Sequence, residues 1–234
     1  MNTFADQVPV VVSIAFLIAF LFPIVLIANL TRNTAYGRKR NAIILFYLAY
    51  LVLVTLMCFS GVFNVVVLPP RIIVVTTLPL LLFYLFYISN TSFYKSLLGQ
   101  IPLSALVRVH IFRLIGGFFL ILFFLEQLPK TFAFIAGLGD MITAIGSLFV
   151  ARTLEKKKPF SKKLTILWNS FGLADILLTS GTAVVLTKLN METGSQGVDV
   201  LTQFPFCFIP AFAPATIIFL HISVFRKMFD KKFR

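Results

Sequence analysis

Apolar positions gather into seven long runs, at about residues 8–31, 41–66, 71–90, 104–126, 131–152, 164–188 and 201–225. Each approaches or exceeds the roughly 20 mostly apolar residues that an α-helix needs to cross a bilayer. Polar punctuation separates them: TRNTAYGRKR, VLPPR, NTSFYKSLLGQIP, EQLPK, RTLEKKKPFSKK and NMETGSQGVDV. No internal repeat of roughly 20–50 residues, the mark of a solenoid, interrupts the series. The pattern predicts an all-α integral membrane bundle of seven transmembrane helices, a single domain over residues 1–234.

Charge placement orients the bundle, because cytoplasmic loops of membrane proteins are enriched in Lys and Arg. The first connection carries Arg32, Arg38, Lys39 and Arg40, and the third carries Lys95. The fifth carries Arg152, Lys156, Lys157, Lys158, Lys162 and Lys163, and the tail Arg226, Lys227, Lys231, Lys232 and Arg234. The other side holds Arg71, Lys130 and Lys188, with the acids Asp6, Glu192 and Asp199. Seven spans with the N-terminus outside and the C-terminus cytoplasmic satisfy every connection.

Composition agrees. Of the 234 residues, 59% are hydrophobic and 12% charged, and the mean hydropathy is +0.97. Soluble domains have roughly 45–50% apolar and about 25% charged residues, so this chain has too little polar surface to coat a water-soluble globule. The net charge of +13 lies in the membrane-flanking segments, which makes lipid head groups its partner rather than nucleic acid. MNTFADQVP has no basic residue ahead of an apolar run longer than a signal-peptide core, so the first run reads as a retained span. Cys58 and Cys207 both fall inside apolar runs and give no reason to expect a disulfide or a metal motif.

The candidate chemistry lies at mid-membrane depth. Arg113, Asp140 and Asp175 each fall near the middle of the fourth, fifth and sixth runs. At about 1.5 Å rise per residue, all three occupy one slab about 5–6 Å thick. A charge at the bilayer centre is costly and marks ion, proton or substrate paths by default, while mutual neutralisation around one guanidinium is the simplest physics. One arginine between two carboxylates leaves an acid under-neutralised, a candidate proton acceptor. Gly116, Gly117, Gly139, Thr143 and Gly146 permit close helix approach, and Asn169, Gly172, Asp175 and Thr179 share one helix face. His110, one turn from Arg113, and His221 in the last run form a candidate cytoplasmic-side gate or relay, suited by an unperturbed pKa of about 6.5. Pro205, Pro210 and Pro214 predict a broken last helix, a feature that borders binding sites in transporters.

Other chemistries fit less. His110 and His221 could ligate one b-type haem, with Arg108 or Arg113 at the propionates; otherwise no cofactor and no metal is expected. GLGD at 137–140 matches the GxGD signature of intramembrane aspartyl proteases, but the second acid, Asp175, follows that helix instead of preceding it. The last run has no mid-helix lysine for a retinal Schiff base, and two histidines are too few for a seven-span zinc hydrolase.

The stretch HIFRLIGGFFLILFFLEQLPKTFAFIAGLGD, with WNSFGLADILL and FPFCFIPAFAPATIIFLHISVF, resembles a group of uncharacterised bacterial multi-pass membrane proteins over about residues 108–225. The resemblance implies a bacterial inner-membrane protein with Arg113, Asp140, Asn169, Asp175 and His221 at motif positions, and it carries no activity. The sequence therefore predicts a small membrane protein for transport or ligand binding, possible proton coupling included, whose site comprises Arg113, Asp140, Asp175, Asn169, His221 and His110. Its ligand would be an unidentified small molecule or ion. The alternatives are an intramembrane redox or catalytic protein and a structural or partner-binding subunit.

Overall fold

The computed structural model describes residues 3–65 and 67–230; Lys231, Lys232 and Arg234 of the basic tail lie outside the described residues. The chain is all-helical, with no strand among the described residues and one isolated bridge between Phe4 and Phe204. Seven helices are long and apolar enough to cross a membrane: α1 (Val10–Asn29), α2 (Gly37–Phe59), α3 (Ile73–Asn90), α5 (Leu103–Phe124), α6 (Lys130–Glu155), α7 (Ser161–Thr193) and α8 (Phe208–Phe229). A short helix, α4 (Ser92–Gln100), joins α3 to α5.

The ends depart from the hydropathy runs for local reasons. The second run was expected to reach residue 66, but α2 stops at Phe59, and Gly61 takes φ 76°, a left-handed turn that suits glycine. The seventh was expected from residue 201. Instead Asp199–Thr202 form a 3₁₀ turn, Phe204 pairs with Thr3 and Ala5 through the backbone, and α8 begins at Phe208. Pro205 is therefore outside the helix. α6 and α7 continue past their apolar runs into polar sequence, because a helix outlasts its hydrophobic stretch until a cap ends it. For α7 that cap is Gly194, at φ 69°. Helix α4 occupies NTSFYKSLLGQIP, expected only as a connection. The Thr91 side chain accepts from the Tyr94 amide at its N-terminus, and Lys227 Nζ donates to the Leu98 and Gly99 carbonyls, both at 2.7 Å, at its other end.

Four spans carry an irregular segment or a proline inside; in α1 it is Pro23. In α3, Ile73–Thr77 and Phe83–Tyr87 are π-helical; in α5, Val109–Gly116 is 3₁₀. In α8, Pro210 sits in the first turn, where no intrahelical amide is needed, whereas Pro214 lies inside and cannot donate to the Pro210 carbonyl. Thr77 Oγ1, from the first π segment of α3, donates to that carbonyl at 2.6 Å. At the next residue, Tyr50 Oη donates to the Ala211 carbonyl at 2.9 Å. Neighbouring side chains thus satisfy what the proline leaves open, as an apolar interior requires.

Helix α8 runs through the middle of the bundle, packed on α3, α5 and α7, and α6 packs along α5 and α7. Buried apolar residues form two clusters. One holds Phe16, Phe20, Phe119, Phe132 and Phe212; the other holds Tyr94, Leu106, Phe112, Val150 and Leu220. The polar residues described below lie along α5, α6, α7 and α8. Cys58 and Cys207 are free and buried, and their thiols adjoin. The outer surface is broadly apolar, with Ile18, Val52, Phe86, Ile145, Leu167 and Leu178 exposed. On a water-facing protein, a contiguous apolar surface of this kind marks an interaction with protein or membrane.

Thr77→Val keeps the shape and removes the donor to Pro210. It is expected to lower stability by about 1–2 kcal/mol, the cost of one unsatisfied buried acceptor, in thermal unfolding of the detergent-solubilised protein. Thr77→Ser should recover most of the loss.

Candidate functional site

Arg113 is the largest fully buried side chain, at 0% exposure. It stands on the 3₁₀ segment of α5, where residues three apart eclipse one another, so His110, Arg113 and Gly116 form one inward-facing column. From there the guanidinium reaches three helices. Nε donates to Asp140 Oδ1 of α6 at 2.6 Å, and Nη2 donates to Asp175 Oδ2 of α7. Nη1 makes two contacts: it donates to the Gly172 carbonyl at 3.0 Å and to His221 Nε2 of α8 at 3.1 Å. One bond from Nε, two from Nη1 and one from Nη2 commit four of the five guanidinium N–H groups. The arginine neutralises carboxylates, and one N–H of Nη2 is the donor left over.

Asn169 fixes the histidine. Its Nδ2 donates to the His221 carbonyl at 3.0 Å, so its Oδ1 faces His221 Nδ1, 2.8 Å away. An oxygen at that place requires the proton on Nδ1, and Nε2 is then the acceptor that the arginine, a pure donor, demands. His221 is therefore the neutral Nδ1–H tautomer. The group carries a formal charge of −1: one guanidinium against two carboxylates.

Close packing makes these contacts possible. A Cβ on Gly116 would collide with the Asp140 side chain, and one on Gly139 with the Asp175 carboxylate. A Cβ on Gly172 would lie 2.6 Å from His221 Cε1 and 2.7 Å from Thr143 Cγ2. Gly117, by contrast, meets nothing closer than Met141 Sδ at 3.9 Å. Hence Gly116, Gly139 and Gly172 are the places where α5, α6 and α7 approach each other through the charged residues.

All six residues singled out by sequence meet in this cluster. His110 lies against His221, ring centroids 4.2 Å apart, and has no hydrogen-bond partner at either ring nitrogen although fully buried. The pair sits beside the arginine in the interior. A bis-histidine haem needs an iron at roughly 2 Å from each nitrogen, which places the two ring centroids well beyond 4.2 Å; with both His221 nitrogens also engaged, the pair does not fit a haem. Nor do the two acids share a proton directly as in an aspartyl protease, because Arg113 lies between them. Among the described residues no group of three His, Cys, Asp or Glu could hold a metal ion.

Sequence reasoning missed Trp168. Its Nε1 donates to the Thr143 carbonyl at 2.9 Å, and its ring lies 5.1 Å from His110 and 5.6 Å from His221. The signal was available, since Trp168 is the sole tryptophan and adjoins Asn169. Thr179 makes no hydrogen bond to the charged group; with Asp140, Thr77, Phe119, Phe132 and Pro214 it lines a cavity of about 200 Å³ between α3, α5, α6, α7 and α8.

A model of the family described as domain of unknown function DUF8737 matches residues 68–229. The chain belongs to that family. The matched stretch contains α3 to α8 and every residue of the charged cluster, and leaves α1 and α2 outside it. Searches of curated proteins and of solved structures found no match.

Gly139→Ala is expected to destabilise the protein by about 3 kcal/mol or more, through overpacking and displacement of a buried carboxylate. Gly181→Ala, where an added Cβ meets nothing within 4 Å, should be neutral or stabilising by up to ~1 kcal/mol. Parallel thermal unfolding of the two variants makes the comparison.

Proposed function

We propose that this chain is a multi-pass protein of a bacterial inner membrane, one seven-span domain with the N-terminus outside and the C-terminus cytoplasmic. In it the Arg113 cluster handles a proton or cation in transport or ligand binding. The observation that carries this reading is the charge imbalance at a buried place. Asp140 and Asp175 share one guanidinium with 0% exposure, the histidine beside it is neutral, and Asp140 also borders a cavity. An unmatched negative charge in an apolar interior costs several kcal/mol or more. A proton or a small cation that joins one carboxylate cancels it.

Other features support a working site. The 200 Å³ cavity is bounded by α8 at its internal proline and by the first π segment of α3. Broken and π-helical segments at membrane depth recur at binding sites. His110, with two unengaged ring nitrogens next to His221, supplies a relay position on the side of α4 and the basic connections.

The orientation is supported by contacts that gather the basic connections at one end. The Ala35 amide donates to Gln100 Oε1 at 2.8 Å, Lys227 caps α4, and Arg108 pairs with Glu155 at 2.5 Å. The first, third and fifth connections and the tail thereby share a face, which would be the cytoplasmic one.

Two measurements test the reading. In a Cys58→Ala, Cys207→Ala background, a membrane-impermeant maleimide should label Ser195→Cys in intact cells, and Lys162→Cys only after permeabilisation; the reverse pattern inverts the topology. In lipid-reconstituted protein, infrared difference spectra on a step from acid to alkaline medium should contain a carboxylic-acid C=O band. Asp140→Asn or Asp175→Asn should remove part of it, the remainder coming from the six other Asp and Glu side chains. If both variants keep the wild-type spectrum and only melt earlier, the acids are structural and the proposal fails.

A further inference from the structure

A larger cavity, of about 410 Å³, lies apart from the charged cluster, between α1, α2, α3, α5 and α8 at the end where α4 packs. Ligand pockets are commonly roughly 300–1,000 Å³, apolar and aromatic, with a few placed polar groups. The wall here is hydrocarbon and aromatic, with Ile27, Phe46, Phe83, Phe93, Leu97 and Phe219 among its residues. The second π segment of α3 contributes Phe83, Tyr84 and Tyr87.

Of the polar groups of this wall, all but the hydroxyl of the exposed Tyr87 and the ammonium of Lys39 are already committed. Tyr84 Oη donates to Tyr47 Oη at 3.0 Å and lies 3.5 Å from Thr216 Oγ1; Tyr94 Oη and Ser223 Oγ are 2.8 Å apart. The Thr31 hydroxyl donates to the Ala28 carbonyl and the Thr91 hydroxyl to the Ile88 carbonyl. The charged one of the two is Lys39, exposed at the start of α2. Its Nζ stands 5.8 Å from the centroid of the Phe93 ring, and among the described residues no carboxylate pairs with it. From Lys39 to Tyr47 the wall runs about 12 Å along α2 at the helical rise. The cavity is thus a long apolar slot whose one charged lining residue, Lys39, stands at its mouth.

We propose that this cavity binds a free fatty acid, its chain along the aromatic wall and its carboxylate at Lys39. Charge complementarity selects the head: a single ammonium matches a single carboxylate and makes a charge-assisted hydrogen bond. Burial of successive methylenes supplies the remaining affinity. This goes beyond the proton-handling reading and does not rest on it.

The test uses the protein in phosphatidylcholine nanodiscs with cis-parinaric acid, a fatty acid whose own polyene fluoresces. Its signal should saturate above that of empty discs and be displaced by palmitate. Hexadecanol, the uncharged analogue, should displace it about tenfold less well, the loss of one charge-assisted bond. Lys39→Glu, at an exposed position, should weaken palmitate by at least about tenfold on the same ground. Ala42→Phe, which puts a ring into the cavity, should abolish the saturable signal. The hexadecanol comparison needs no variant, so it decides the matter even if Ala42→Phe does not fold. Equal displacement by hexadecanol and palmitate, an unsaturable signal, or full affinity in Lys39→Glu overturns the proposal. Displacement by phosphatidylglycerol in the disc as effective as that by palmitate assigns the cavity to bilayer lipid and overturns it too.

Discussion

The bundle is organised around one guanidinium that has left water. Burying a cation costs several kcal/mol unless it is paired and fully hydrogen-bonded, and removing one partner of a buried pair typically costs about 3–5 kcal/mol. Arg113 meets that demand through contacts from three helices other than its own. Each contact sets a local requirement. Asp140 must lie against Gly116, Asp175 against Gly139, and the Gly172 carbonyl must come close to α5 and α8. The positions of α5, α6, α7 and α8 relative to each other are thereby fixed by a polar constraint, where apolar side chains alone would tolerate many registers.

Helical irregularity follows the same logic. An undistorted α-helix would spread His110, Arg113 and Gly116 over an arc; the 3₁₀ segment draws them into line. Pro214 removes an amide from α8, and the π segment of α3 brings Thr77 to the carbonyl left behind. Helix α1 carries Pro23 within it and α2 opens with a 3₁₀ turn, both outside the family match. The departures inside α3, α5 and α8 border either the charged cluster or one of the two cavities. Backbone deviation and polar chemistry coincide because a bilayer-like interior leaves a loosened amide or carbonyl only other protein groups as partners.

The seven runs were legible because twenty apolar residues in series are hard to place anywhere else. The charged cluster was legible because Arg113, Asp140 and Asp175 share a depth, and ionisable groups are too costly there to coincide idly. Other features had no sequence signal of that strength. Helix α4 has polar residues at alternate places and reads as a loop; only the lysine from α8 that caps it, far away in sequence, completes it. The contribution of Gly172 is a carbonyl, which no side-chain pattern announces. The contact between His110 and His221 depends on the 3₁₀ segment and on the course of α8, whereas helical rise gives only a shared half of the membrane and one turn between His110 and Arg113. In the structure the two rings meet at 37° beside Arg113.

Trp168 gives the molecule a property independent of any assay of activity. It is the chain's one indole, and it stands in contact range of both histidines, with its N–H held by the Thr143 carbonyl. Under excitation at the red edge, which the six tyrosines do not absorb, emission from the unmodified protein originates at a single point beside the two histidines. A change in protonation, hydration or occupancy next to the ring alters its quenching and colour. The protein carries its own gauge at the place where its polar chemistry is concentrated.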